Sequence, residues 1–153
     1  MDIRNYFSFE PVSACIGDLE TPVPLIDIDV VDRNLKRWQE RCDDLGIANR
    51  PHVKTHKLVP LARYQVALGA RGVTAQKIGE AEAMADGGIT DILLTFNIVG
   101  QSKLRRLANL ARRIAISAVA DNAVVLKGLG EVGVAATLEN DGVKVSGSVA
   151  SDV

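Results

Sequence analysis

The chain has 153 residues, 47% hydrophobic and 24% charged, with a formal net charge of −1, which fits one ordinary globular domain. That charge balance gives no electrostatic case for nucleic acid or an anionic membrane surface as a partner. The apolar runs are far too short to span a bilayer, and the N-terminal MDIRNYFSFEPVSACIG lacks a continuous apolar core of signal-peptide type, so a cytoplasmic protein is expected.

From Pro22 onward the pattern alternates between strands and helices. Val23 to Ile28 (VPLIDI) reads as a first strand, and Asp29 as the cap of a helix in which Val31, Leu35, Trp38, Cys42 and Leu45 recur at helical spacing. Gly46 supplies its stop. Ala48 to Lys54 is the second strand. Pro60 suits the first turn of a second helix whose Leu61, Tyr64 and Leu68 share a face. Gly72 to Ala75 is a short third strand, and Gly79 to Asp86 a third helix closed by Gly87 and Gly88. Asp91 to Thr95 is the fourth strand, Gln101 to Arg113 the fourth helix with Leu104, Leu107 and Ala111 inward, Ile114 to Val119 the fifth strand, and Asn122 to Leu129 the start of a fifth helix. Cys15 and Cys42 form no CxxC pair or metal spacing, and Cys42 is read as a core residue.

Repeats of this length imply a parallel sheet, either an open doubly wound sheet or part of a (β/α)8 barrel. No GxGxxG or GxxxxGK[ST] follows the first strand, which leaves a nucleotide-binding sheet with little support. The placement of polar residues favours the barrel: Asp27 and Asp29 after strand one, His52, Lys54 and Thr55 after strand two, Gln76 and Lys77 after strand three, Thr95 and Asn97 after strand four, and Asp121 after strand five. Barrel active sites are built at this C-terminal rim. Loops after strands are commonly polar as well, and Asp29 and Asp121 are read as helix caps before they are read as catalytic groups.

The stretch Arg50-Pro51-His52-Val53-Lys54-Thr55-His56-Lys57 carries the most chemistry. An extended backbone projects Arg50, His52 and Lys54 to one side and Val53 to the other. Cationic neighbours and shielding from water favour the neutral form of a lysine, the form that attacks an aldehyde. The same spacing equally fits a basic strand end that is merely solvated.

Four motifs in order, TPVPLIDID, PHVKTHK, GVTAQKIGEAEAMADGG and DILLTFNIVG, resemble the D-threonine aldolase and D-serine dehydratase family, fold-type III enzymes of pyridoxal 5′-phosphate (PLP) with an alanine-racemase-like barrel. The resemblance runs from about Thr21 to about Gly130. It implies a partial (β/α)8 barrel of about five βα units, with 1–20 as an N-terminal segment, 21–130 as the partial barrel and 131–153 as an atypical tail. It implies that Lys54 carries PLP as a Schiff base and acts as a catalytic residue with His52, and that His52, Gln76 and Thr55 line the cofactor, with Asn97 a weaker candidate and His56 and Lys57 orienting the loop. The implied reaction is retro-aldol cleavage of a 3-hydroxy-D-amino acid such as D-threonine or 3-hydroxy-D-aspartate to glycine and an aldehyde. The FNIVG version of the fourth motif leans towards this aldolase branch. The alternatives are a D-serine or 3-hydroxyaspartate dehydratase, which loses the 3-hydroxyl, a non-catalytic PLP carrier, and a decayed or misread gene product.

The chain departs from the family after the fifth helix. EVGVAATLENDGVKVSGSVASDV has no DxGxxR pattern, whose arginine the family directs at the PLP ring hydroxyl. The family also implies a divalent metal (Mn, Mg or Zn) held by a His with an Asp or Cys partner in a C-terminal β-domain, and homodimers in the full-length form. Neither His52 nor His56 matches those ligands, so no metal residue is assigned here. A barrel takes about 250 residues. The chain is therefore expected to be a truncated or frameshifted version of a longer enzyme that binds PLP poorly by itself, with Gly142 to Val149 pairing as one more strand.

Overall fold

The computed structural model describes residues 1–7 and 15–133 throughout, and the backbone of 136–140 and 143–147. Two 3-10 turns, Ile3–Tyr6 and Ile16–Asp18, precede α1 (Ile28–Asp44) and α2 (Val59–Leu68). Then follow β1 (Val73–Ala75), α3 (Ile78–Asp86), β2 (Asp91–Leu94), α4 (Gln101–Ala111), β3 (Ala115–Ala120), α5 (Ala123–Glu131), β4 (Ala136–Asn140) and β5 (Val143–Gly147). The strands lie side by side in chain order. β1 to β4 are parallel, with Ala75 opposite Leu94, Leu94 opposite Ala118 and Ala120 opposite Leu138. β5 turns back antiparallel to β4. It takes up the central part of the expected tail strand, and residues 142 and 148–149 of that stretch lie outside the described ones.

One contiguous core decides between the two architectures left open by the sequence. Ile92 and Leu94 of β2 and Ile116, Ala118 and Ala120 of β3 pack with Ile78, Ala81 and Met84 of α3, Leu104, Leu107 and Leu110 of α4, and Val125 and Leu129 of α5. These strand residues alternate along the chain and so share one sheet face. The intervening Ala115 and Ser117 are exposed. A doubly wound sheet needs helices on both faces. Among the described residues, helices pack on one face of β2 and β3, while the other face is exposed or half-buried, a geometry that suits a barrel wall.

The predicted second strand is present as a short ladder on the outer edge of β1. His52 bridges Thr74 in parallel, with Thr74 N donating to Pro51 O at 2.8 Å and Val53 N donating to Thr74 O at 2.9 Å. Continuing the ladder would require an N–H on Pro51, which proline lacks. The chain shifts instead, and Arg71 N donates to Asn49 O at 2.9 Å. Val53 is fully buried, so the expected alternation holds at that point.

The predicted first strand does not form. Residues 23–27 have no strand structure, and Val23, Leu25 and Ile26 are exposed. Pro22 and Pro24 each remove a ladder donor from this apolar run. Asp27, not Asp29, caps α1, accepting from Asp29 N and Val30 N at 3.0 Å each, while Asp29 pairs with Arg4 at 2.6 Å. At α5 the cap is Asn122, which accepts from Val124 N and Val125 N, and Asp121 only accepts from the Asn122 amide. On α1, Cys42 is buried as expected, yet Trp38 and Leu45 are exposed. The inward residues Val31 and Leu35 instead meet a second cluster formed by Ile3, Leu61 and Tyr64. Tyr64 donates its hydroxyl to Asp32, which is also paired with Lys36 at 2.8 Å. These donors hold the Asp32 carboxyl below the usual carboxylate range. Among the described residues no helix is long and apolar enough to cross a membrane.

Gly72 sits where β1 meets the start of β2. A Cβ there would collide with the Asp91 carbonyl oxygen and lie 2.8 Å from Arg50 Nη1. Gly72→Ala is expected to destabilise the fold by about 1–3 kcal/mol, the usual range for overpacking. Gly130→Ala in α5, where an added Cβ meets nothing within 4 Å, is expected to stabilise by roughly 0.5–1 kcal/mol. Urea unfolding of both variants checks the pair, and equal midpoints would show that the close approach at Gly72 does not exist.

Candidate active site

Parallel strands end at a common edge, so the segments that follow them form one rim. Here the rim holds the turn after His52, then Gln76 and Lys77 after β1, Thr95 to Gly100 after β2, and Asp121 and Asn122 after β3. The predicted His52, Lys54, Thr55 and Gln76 therefore lie along one rim, with Thr95 and Asn97 on the segment after β2.

His52 is the best-defined member. Its Nδ1 accepts from Lys54 N at 3.2 Å, so in the neutral ring the proton resides on Nε2. That nitrogen lies 3.5 Å from Thr95 Oγ1, the outer limit of a hydrogen bond. Burial, then the Lys54 charge, pushes the imidazole below its ordinary range against the pull of Glu80. His52 is thus an uncharged ring whose tautomer is set by the backbone of the lysine beside it. Lys54 itself is exposed, and its ammonium has no hydrogen bond or ion pair among the described residues. Thr55 is also exposed, whereas Gln76 and Asn97 are half-buried.

Arg50 does not join them. Alternation places its backbone on the same side, but its guanidinium forks onto Asp91 at 2.8 and 2.9 Å, at the start of β2 and therefore at the opposite end of the sheet. Asp91 also lies 3.8 Å from Arg71. The expected cluster of three cations reduces at the rim to Lys54 beside a neutral histidine.

The turn after Val53 is tied down by its own side chains. His56 Nδ1 accepts from Leu58 N at 3.0 Å. Its buried Nε2 faces the Gln65 side chain, whose Oε1 likewise lacks a partner of good geometry. Burial lowers the His56 pKa against that contact. Lys57 pairs with Glu80. Glu80 is the residue that sequence reasoning missed at this rim. Its signal was Lys77-x-x-Glu80 at the start of a helix, the pattern in which an N3 carboxylate takes the N-cap amide. Among the described residues no three His, Cys, Asp or Glu side chains converge to hold a metal ion.

Residues 26–142 match the family described as alanine racemase, N-terminal domain. The chain is 40% identical over 108 residues to a D-threonine aldolase of Arthrobacter sp., a match covering 71% of this chain and 28% of that protein. It is 43% identical over 95 residues to the D-threo-3-hydroxyaspartate dehydratase of Delftia sp. (strain HT23), covering 62% of this chain and 25% of that one. The crystal structure of D-threonine aldolase from Filomicrobium marinum superimposes with a TM-score of 0.77 at 35% identity, over 82% of this chain and 36% of that chain. The chain thus spans about a quarter to a third of the length of these relatives, and the superposition agrees with the one-sided sheet as part of a barrel. The chain belongs to the alanine racemase N-terminal domain family.

Proposed function

We propose that this chain supplies the lysine-bearing part of a PLP-dependent lyase that cleaves 3-hydroxy-D-amino acids, of the D-threonine or 3-hydroxy-D-aspartate kind, to glycine and an aldehyde. The observation that supports the reading is the Lys54 side chain, without a polar partner among the described residues, at the C-terminal rim beside His52, whose Nδ1 holds the Lys54 backbone N–H. The names of the relatives supply the substrate class.

The residues present fit the reactive end of PLP. An amine free of ion pairs is available to a carbonyl carbon, and the ring next to it adds no competing positive charge. PLP, when bound, supplies an electron sink for negative charge at the substrate Cα. In this reading Lys54 holds the cofactor. His52 lines it and keeps the lysine backbone in place through Lys54 N, while Thr95 steadies the far side of the imidazole. Gln76 and Thr55, on the two adjoining rim segments, complete the cofactor side. A second reading, loss of the 3-hydroxyl rather than breakage of Cα–Cβ, is favoured by the 43% identity to a dehydratase. The rim residues described here serve either outcome.

Borohydride reduction of the full chain with PLP is expected to fix the cofactor on Lys54. Lys54→Ala should abolish the adduct, Lys77→Ala should retain it, and Lys57→Ala should still yield it on Lys54 at long incubation even if it forms more slowly. An adduct that survives Lys54→Ala would move the anchor elsewhere and end this assignment. With 3-hydroxy-D-aspartate as substrate, glycine with glyoxylate supports the aldolase, and oxaloacetate with ammonia supports the dehydratase.

The histidines predict a pH dependence of stability. Both have folded-state pKa values below the ordinary 6.5. The unfolded chain therefore takes up protons first as pH falls, and stability declines from about pH 6.5 towards the folded values. Urea midpoints measured from pH 7 to 5 should fall, and both imidazoles should be more than half neutral by NMR at pH 6.5. Protonation of either ring at its ordinary value would contradict the burial described for it.

A further inference from the structure

One carboxylate ties the turn that carries Lys54 to the rest of the rim. The turn closes on itself, with Lys57 N donating to Val53 O at 2.8 Å. It ends with Lys57 at φ 54, a left-handed conformation that side-chain-bearing residues rarely adopt and that persists only where the surroundings impose it. The Lys57 ammonium reaches Glu80 Oε1. Only 9% of the Glu80 side chain is exposed, against 58% for Lys57. The second oxygen, Oε2, accepts from Gln76 N at 3.0 Å and from Lys77 N at 3.3 Å.

A helix cap alone explains the Lys77 bond. It does not explain why the same buried carboxylate reaches back to Gln76, ahead of the cap, or why its other oxygen is directed at a residue on a different loop. Burial raises the Glu80 pKa, but Lys57 and the two amides outweigh burial and hold it below the usual range, so the carboxylate stays ionised.

We propose that Glu80 is a positioning residue for Lys54: through Lys57 it sets the direction of the Val53–Lys57 turn, and through the amides of Gln76 and Lys77 it locks that direction to the neighbouring rim segment. The proposal rests on the reading of Lys54 as the cofactor anchor. It makes Glu80 and Lys57 one device, so removing either half should have the same effect as removing both.

The test uses the full chain. Glu80→Gln keeps the size and an amide acceptor but loses the charge that holds Lys57, and Lys57→Met keeps the stem and loses the ammonium. Each is expected to slow formation of the borohydride-trappable PLP adduct at Lys54 by about 10- to 100-fold, the scale of a displacement of about 1 Å. The double variant should be no slower than either single one. Amide hydrogen exchange at Lys57, which needs no cofactor, should accelerate in both. Glu82→Gln, which removes the neighbouring ion pair with Arg106, should change neither reading. Adduct formation at Lys54 at the wild-type rate, with Lys57 still protected in Glu80→Gln, would overturn the proposal and reduce Glu80 to a cap of α3. Additive losses in the double variant would overturn it too. Trapping away from Lys54 in the unsubstituted chain would instead remove the anchor, and any positioning role for Glu80 with it.

Discussion

The short parallel ladder between residues 49–53 and β1 is the constraint from which the site follows. Two backbone hydrogen bonds around Thr74 hold His52 in register. They send Val53 into the core and release the chain into a turn at Lys54. Proline at position 51 ends the ladder on the other side, so this edge is as short as it can be while still aiming the lysine. Two rim groups are referred to this edge: Glu80 reaches it through Lys57, and Thr95 faces it through the His52 ring. Gly72 allows the strands to approach closely enough for Arg50 to brace the opposite end.

Much of the scaffold was legible from residue order. The helices after residue 58 and the strands β1 to β3 stand within a few residues of where apolar periodicity and glycine stops place them, because β2, β3 and α3 to α5 each bury one face against a shared core. The first strand was misread for a definite reason. VPLIDI has the composition of a buried strand, but Pro24 within it and Pro22 just before it withhold donors that pairing requires, and composition weighs side chains more heavily than missing N–H groups. The caps were misplaced by one or two residues because Asp27 and Asp29, like Asp121 and Asn122, are near-equivalent candidates in sequence. Only the hydrogen bonds of the first helical turn distinguish them.

The site divides in the same way. That Lys54, His52, Gln76 and Thr55 fall on one rim is legible in the sequence, because strand ends are local features and the rim is a property of parallel topology. Arg50 was grouped with them wrongly, since a rule about backbone alternation says nothing about where a long guanidinium finds its carboxylate. Glu80 is not legible at the rim from spacing, because its Oε1 serves a loop more than twenty residues upstream. That loop's approach is a tertiary fact with no trace in local spacing.

The Arg50–Asp91 fork has a consequence for anyone altering this protein. It lies at the ends of the strands away from Lys54, is partly shielded from water, and is therefore screened by salt less than an exposed pair would be. The ion pair and the proposed Lys54 site thus occupy opposite poles of the same strands. The lower pole offers a place to search for heat-tolerant variants, by extending the charge network around Asp91 and Arg71, without disturbing the geometry at the upper one.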